Sequence, residues 1–550
     1  MAHVEIDRRE FEELLGRSVS EQELRENASD LGVHWTHVEG PKWDVEVYPN
    51  RPDLLSVEGL ARAYRGFFDV YTGREEYEAE PGDLELSVDG SVDQVRPFIG
   101  AAVVRGLELT EKKINGLIQL QEKLHETIGR RRDKIAIGLH DMSELEPPFE
   151  YRAADPESVR FRPLEHEKIL RLDEILANHD KGREYAWILE DETEYPVIVD
   201  SENQVLSFPP IINNQLTEVD EVTSDVFVDV TGKDRQTVNR VLNILATALA
   251  ERGGTVESVD VAGEEMPGLD PYVRELDPEY LRDVSGLELE DEEILHKLRE
   301  MKHGAEMSED GILVEVPCYR NDVMHQYDLI EDAVIAHRYS NIEPGIPEID
   351  QIGERKPLGR FQDVLRDSLQ GAGAMEAHTY ILSSEEKLFD RMERERSEVA
   401  SMSNALTEDY SVVRSSLLPS LMEALRDNRH RQYPQQFFEV AEVVELDDSQ
   451  TGASNRPRIA YVTCGPSINY NSARKMLQVL ERDLGIELEV RESDEEGMRP
   501  ERSAQILDQQ EGRIGILGEF RSQVSENWGI EHPIAGFELY VEKLMDIRGR

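Results

Sequence analysis

A chain of 550 residues is too long for one ordinary hydrophobic core, so three or four domains are expected. A hydrophobic share of 39% marks it as folded, while 61 Lys and Arg against 115 Asp and Glu leave a net charge of -54, which excludes a broadly basic nucleic-acid binder. Because the acid excess runs through segments with regular apolar patterns, it reads as the surface of a protein from a salt-rich cytoplasm, a halophile and archaeal. There, at about 1 M salt, a Debye length of roughly 3 Å removes most self-repulsion between exposed acids.

The first segment, 1–89, opens with helical spacing at Phe11, Leu14 and Leu15 and a second helix near Glu21 to Leu31. Trp43 to Tyr48 alternates as a strand, then Pro49-Asn50-Arg51-Pro52-Asp53 leads into a helix through Leu60 and Ala63. The opening residues lack a signal-peptide pattern. The segment 90–265 alternates strands (Ile99–Val104, Val226–Val230) with a helix from Ile114 to Ile128. The apolar helix around Val241, Leu242, Leu245 and Leu249 is broken by Asn243 and Thr247, so no membrane span is expected. Cys318 and Cys464 stand alone and far apart, which fits a reducing, cytoplasmic setting and gives no disulfide or cysteine-zinc framework.

Met266-Pro267-Gly268 opens a compact unit, 268–346, that closes at Glu343-Pro344-Gly345-Ile346-Pro347. Inside it Asp322 lies on an extended segment set by Val316-Pro317. Asp328, Glu331 and Asp332 follow at i, i+3 and i+4, on one turn of a helix carrying Leu329, Ile330, Ala333, Val334 and Ile335. Unit like charges about 4 Å apart repel by roughly 1 kcal/mol in water and by more at a protein surface, so something must offset them. Either Asp328 is an N-cap with Glu331 as its capping-box partner, or the four carboxylates seat a hard divalent cation, magnesium above all. Spacing leaves both open.

The remainder, 350–550, is a larger mixed region. Gly371-Ala372-Gly373 lacks the pattern of a phosphate loop and reads as a helix end. The stripe Leu417, Leu418, Leu421, Met422 and Leu425 is either a helical contact for another chain or plain core. Two basic runs, Arg130-Arg131-Arg132 with Lys134 and Arg426 with Arg429-His430-Arg431, sit near helix C-termini; they either complement the helix dipole or contact phosphate.

Four stretches in order, Tyr48-Pro49-Asn50-Arg51-Pro52-Asp53-Leu54, Tyr319 to Asp332, Ser403 to Pro419, and Glu501-Arg502-Ser503-Ala504 with Gly515-Ile516-Leu517-Gly518-Glu519, resemble the beta subunit of phenylalanyl-tRNA synthetase, archaeal and eukaryotic type. The resemblance covers nearly the whole chain and implies a multidomain α+β fold: an N-terminal domain, an editing-type B3/4 domain, a small B5 module, and a class II synthetase-like antiparallel-sheet domain. It assigns the magnesium ligands to Asp322, Asp328, Glu331 and Asp332. Where active class II members carry arginines for ATP phosphates, this chain reads Gln436-Phe437-Phe438-Glu439 and Gly536-Phe537-Glu538-Leu539, so adenylation is expected on a separate alpha subunit. The assembly implied is two alpha and two beta chains using ATP and magnesium, with the tRNA for phenylalanine as partner. With no oligonucleotide-binding insertion, and the chain stopping soon after Leu544, no dedicated anticodon-binding domain is expected.

The editing-type domain implies hydrolysis of tyrosine wrongly attached to that tRNA. The polar candidates there are His140, Asp141, Asn213, Asn214, Asp229 and Thr231; each serves equally as a turn or cap residue, and none forms a serine or cysteine triad. A free-standing tRNA-binding or trans-editing protein built from the same domains is the alternative. An internal echo is also visible: Asn50-Arg51-Pro52-Asp53 with Gly59-Leu60-Ala61-Arg62 parallels Tyr319-Arg320-Asn321-Asp322 with Asp328-Leu329-Ile330-Glu331, with Gly59 and Arg62 replacing two acids.

Overall fold

The computed structural model describes residues 2–28, 30–346, 352–508, 510 and 512–549, in two compact units, 1–346 and 347–550. Ser29, inside the second expected helix, and the 347–351 junction lie outside the described residues.

The first unit begins with strand Ala2–Asp7, helices Arg8–Leu15 and Glu21–Ala28, strands Val33–His37 and Lys42–Val47, and helix Val57–Phe67. Asp7 starts the first helix by accepting the Glu10 N–H at 3.1 Å, and Gly16, at φ +86°, ends it. Period-two burial of Val4, Ile6, Trp43, Val45 and Val47 sets the inner face of an antiparallel sheet ordered first, third, second. Phe11, Trp35, Trp43 and Tyr64 pack edge-on beneath it, and the Trp35 indole donates to Tyr64 Oη at 2.8 Å.

Residues 272–337 repeat this plan. Strand Tyr272–Leu276, helices Pro278–Ser285 and Asp291–Glu300, strands Gly304–Ser308 and Gly311–Val316, and helix Gln326–His337 again give a sheet ordered first, third, second. The echo seen between the two motifs is thus part of a repeated β-α-α-β-β-α unit. The repeats touch through corresponding parts: the Arg62 guanidinium lies 3.5 Å over the Tyr319 ring, and that of Arg338 lies 3.4 Å over Phe67. A Cβ on Gly66 would lie 2.2 Å from the Glu300 carbonyl oxygen, so glycine permits the helices to approach.

Between the repeats runs a ten-stranded sheet. Its interior strands Phe98–Arg105 and Val226–Gly232, mainly apolar, are almost wholly buried, with helix Arg235–Glu251 packed on them. The strand Glu80–Val88, which the reading in chain order left in the first segment, is laid into this sheet parallel to Thr255–Val261, with Glu80 opposite Glu257. Entry and exit are therefore side by side. Among the described residues no helix is long and apolar enough to cross a membrane.

The second unit is a seven-stranded sheet, antiparallel except where Met375–Glu376 joins Gln435–Leu446. Helices Pro357–Gly371, Tyr470–Leu484 and Val541–Arg548 bury their apolar sides in one cluster. Helix Leu418–Asp427 packs in another, with Phe437, Val462, Trp528 and Ile534. The stripe from Leu417 to Leu425 is therefore intradomain core, every member at most 1% exposed. The glycines at 371–373 end a helix, with Gly373 at φ +91°.

Candidate functional site

Two places bring chemistry-bearing side chains together in the first unit. The acid cluster is the first. Helix Gln326–His337 starts at His325, not Asp328: His325 caps it, and Asp328 at the third helical position accepts the N–H groups of Met324 and His325, both at 2.7 Å. Asp322 takes a two-pronged bond from the buried Arg320 guanidinium at 2.8 and 2.7 Å, and Arg320 Nη2 also reaches Asp332 Oδ2 at 2.8 Å. His303 Nε2 meets the same Asp332 oxygen at 2.6 Å. Glu331 points outward and is exposed.

The offset demanded by four neighbouring carboxylates is thus supplied largely by a guanidinium. Burial raises the Asp322 and Asp332 carboxyls, but the Arg320 charge outweighs it and holds both below the usual carboxylate range. Glu331 is pushed above its ordinary value by partial burial and by repulsion from Asp332, Asp322 and Asp328. Among the described residues no group of three His, Cys, Asp or Glu is placed to hold a metal ion. Spacing found the acids and missed Arg320, although it stands two residues before Asp322. In the N-terminal repeat Arg51 grips Asp53 in the same two-pronged way, at 2.9 and 2.8 Å. There Gly59 replaces the helical acid because a Cβ would fall 1.7 Å from the Asp53 carbonyl oxygen.

The second place is a cavity of about 290 Å³ between helix Glu111–Glu126 and the sheet strands Ile135–Asp141, Val205–Phe208 and Val226–Gly232. Ile114, Leu117, Ile118, Phe208 and Ile211 make apolar walls, and Ser207, Asn213, Asp229 and Thr231 bring polar groups to them. Asp229 is buried, with Oδ2 bonded to His140 Nε2 at 2.8 Å; the other ring nitrogen meets Thr217 Oγ1 at 2.8 Å. Gly138 makes room for that carboxylate, since a Cβ would lie 1.9 Å from Asp229 Oδ2. The buried Ser207 hydroxyl has no hydrogen-bond partner. Beside it Arg132 donates to Ile211 O at 2.9 Å and Glu122 Oε1 at 2.7 Å. Burial would raise Glu122, yet hydrogen bonding to His125 and the charge of Arg132 hold it at about 2.

Of the six polar candidates in this domain, Asn213, Asp229 and Thr231 line the cavity and His140 braces Asp229 from behind. Asp141 instead binds the Ser143 N–H and the Thr223 hydroxyl, and Asn214 caps the turn at Leu216. Ser207 went unnoticed, its one signal being a lone hydroxyl in the apolar run Val205–Phe208.

In the second unit Glu439 and Glu538 are buried and internally satisfied. Arg414 Nη1 bonds Glu439 at 3.1 Å, joined by the Thr379 hydroxyl at 2.6 Å. Glu538 accepts the Ser416 hydroxyl at 2.6 Å and the Leu417 N–H at 2.9 Å.

Comparison with known proteins matches residues 104–268 to the B3/4 domain, 274–339 to the tRNA synthetase B5 domain, and 342–541 to the phenylalanyl tRNA synthetase beta chain CLM domain. A phenylalanine–tRNA ligase beta subunit of Pyrococcus furiosus is 40% identical across 99% of this chain and 100% of its own. One from Methanosarcina barkeri is 38% identical across 98% of each. The crystal structure of an N-terminal fragment of the Pyrococcus horikoshii beta subunit superposes with a TM-score of 0.59 at 37% identity, covering 62% of this chain and 100% of the fragment. With its B3/4, B5 and CLM domains in order and full-length relatives at this identity, the chain belongs to the phenylalanyl-tRNA synthetase beta-subunit family.

Proposed function

We propose that this chain works as the beta subunit of a cytoplasmic phenylalanine–tRNA ligase, beside an alpha subunit that uses ATP to attach phenylalanine to its tRNA. Its own chemistry is hydrolysis of tyrosine wrongly attached to that tRNA. The observation that carries the second part is the unpartnered Ser207 hydroxyl, buried in an otherwise largely apolar cavity that also holds the Asp229 carboxylate. A phenol hydroxyl can bond to that group; a phenyl ring leaves it unsatisfied, and sites built on such a bond discriminate strongly. Asp229 supplies a buried negative charge for the α-ammonium of the aminoacyl ester.

Ser207 has no base bonded to it, so it is not an activated nucleophile. Water is the attacking group: its oxygen bonds to the ester carbonyl carbon, the carbon–oxygen bond to the ribose breaks, the ribose oxygen takes a proton, and tyrosine leaves as the free acid. His140, bonded on both ring nitrogens and fully buried, positions Asp229 and does not touch substrate. The holoenzyme is expected to release tyrosine from this tRNA faster than phenylalanine, as measured with both esters; equal rates remove the proofreading role.

For the second unit the reading is a class II-like sheet that no longer handles ATP, since Glu439 and Glu538 are already satisfied within the fold. An exposed apolar patch of Tyr380, Leu382, Met402 and Tyr410 suits a docked alpha chain, in an assembly of two alpha and two beta subunits. The acid excess suits a salt-rich cytoplasm.

Magnesium is assigned to Asp322, Asp328, Glu331 and Asp332. These hard anionic oxygens suit the ion chemically, and Glu331, pushed above its ordinary value by burial and by its acidic neighbours, supports the assignment. Arg320 already serves two of the four, so Glu331 and Asp328 would be the residues left to hold the ion. The ion when bound supplies charge neutralisation between these acids. The melting temperature of the holoenzyme should rise with added magnesium, and Asp328→Asn/Glu331→Gln should flatten that response; an identical response in the variant leaves only the capping role.

A further inference from the structure

Helix Glu111–Glu126 is followed by an unusual piece of backbone. Arg130, Arg131 and Arg132 stand in succession at φ +49°, +56° and +67°, the one consecutive run of positive φ among the described non-glycine residues. Side chains disfavour this left-handed region, so such a turn persists only where its surroundings hold it. Two buried guanidinium groups do so. Arg96 donates to the carbonyl oxygens of Arg132, Asp133 and Thr231 at 3.1, 3.1 and 2.9 Å and to Thr231 Oγ1 at 3.0 Å. Arg132 turns inward to Ile211 O and Glu122 and lies 4.5 Å over the Tyr185 ring. Both anchors end on the cavity wall, since Thr231, Ile211, Glu122 and Arg132 itself line it.

The two arginines left over are not part of that wall. Arg130 and Arg131 are exposed, and among the described residues neither side chain makes a hydrogen bond or ion pair. The adjacent acid is not available to them, because Asp133 pairs with Lys233 at 2.7 Å. Nor do they serve the helix end: the carbonyl oxygens of Lys123, Leu124 and His125 are taken by the N–H groups of Thr127, Gly129 and Arg132. In a chain with 115 acids, two neighbouring cations stand, among the described residues, without an anion on a turn whose third arginine, Arg132, lines the cavity.

We propose that Arg130 and Arg131 form a phosphate clamp for the 3′ end of an aminoacylated RNA, gripping the backbone while the ester enters the cavity. The proposal rests on the hydrolytic reading of that cavity. The ligand chemistry is a phosphodiester of single-stranded RNA: guanidinium groups bind phosphate oxygens in pairs, and the rigid turn fixes them relative to Thr231 and hence to the ester. These are positioning residues, not catalytic ones.

The test compares the holoenzyme with its Arg130→Ala/Arg131→Ala variant on tyrosyl-tRNA and on 3′-O-tyrosyl-adenosine, which carries no phosphate. The variant is expected to show a KM for tyrosyl-tRNA raised about 10-fold with kcat unchanged. Its log(kcat/KM) against log salt should flatten by about 1.4, two contacts at about 0.7 each. Hydrolysis of tyrosyl-adenosine should be unchanged, and Arg130→Lys/Arg131→Lys should recover most of the loss. An unchanged KM and salt slope, or an equal loss on both substrates, overturns the clamp. If the unaltered holoenzyme hydrolyses neither ester, the cavity reading fails instead, and the clamp is judged by the Kd of a short single-stranded RNA: weakened about 10-fold in the variant if it holds, unchanged if it does not.

Discussion

Asp229→Asn in the holoenzyme slows release of tyrosine from mischarged tRNA by about 100-fold while attachment of phenylalanine proceeds at its normal rate. In the proposed hydrolysis the buried carboxylate is the charge offered to the substrate ammonium, and a charge-assisted bond of about 1.5–3 kcal/mol converts to roughly 10- to 100-fold. The upper end is expected because His140, bonded to Oδ2 at 2.8 Å, must also reorganise when its acceptor becomes an amide. Ser207→Ala acts differently. It leaves phenylalanyl-ester hydrolysis as it was and lowers the preference for tyrosine about 10-fold, the worth of one buried hydrogen bond. Full preference retained by the alanine variant would show that the phenol is read elsewhere. Thermal unfolding of both variants separates these effects from loss of fold.

Arg320→Met destabilises the first unit by about 3–5 kcal/mol, the usual consequence of removing one partner from a buried ion cluster. The guanidinium is 2% exposed and serves Asp322 and Asp332 together; methionine fills much of its volume and leaves both carboxylates beside His303 without a fixed cation. The pH dependence has a definite sign. Both acids sit below their ordinary value of 3.8 in the folded chain, so their stabilisation is complete above that value and is lost as pH falls through the folded ones. Parent and variant should therefore differ most near neutral pH and converge in acid. Urea titrations at several pH values measure the gap; one independent of pH would mean that packing, not charge, is what Arg320 provides.

The parts of the fold legible beforehand are those whose signal is local. Helical spacing at Phe11 and Leu15, alternation from Trp43 to Val47, and the mainly apolar strands at Ile99–Val104 and Val226–Val230 each answer to burial on one face or both. Harder to read was anything decided by long-range pairing. Glu80–Val88 follows the N-terminal repeat in the chain, yet its strand partners lie near residues 150 and 257. The Leu417–Leu425 stripe has one pattern whether it meets its own sheet or another chain, and only tertiary packing separates the two. At the acid cluster, helical spacing put Asp328, Glu331 and Asp332 on one helix, Gln326–His337, but Arg320 approaches from a non-helical segment that periodicity does not weigh. Ser207 escaped because a single hydroxyl among Val205, Leu206 and Phe208 looks like any strand serine until its missing partner is seen.

The side-by-side placement of Glu80–Val88 and Thr255–Val261 makes the ten-stranded sheet a loop-out from a body formed by the two β-α-α-β-β-α repeats. Because the chain departs and returns through neighbouring strands, the sheet domain can be enlarged or trimmed without unthreading the twin repeats that clasp each other through Arg62 and Tyr319.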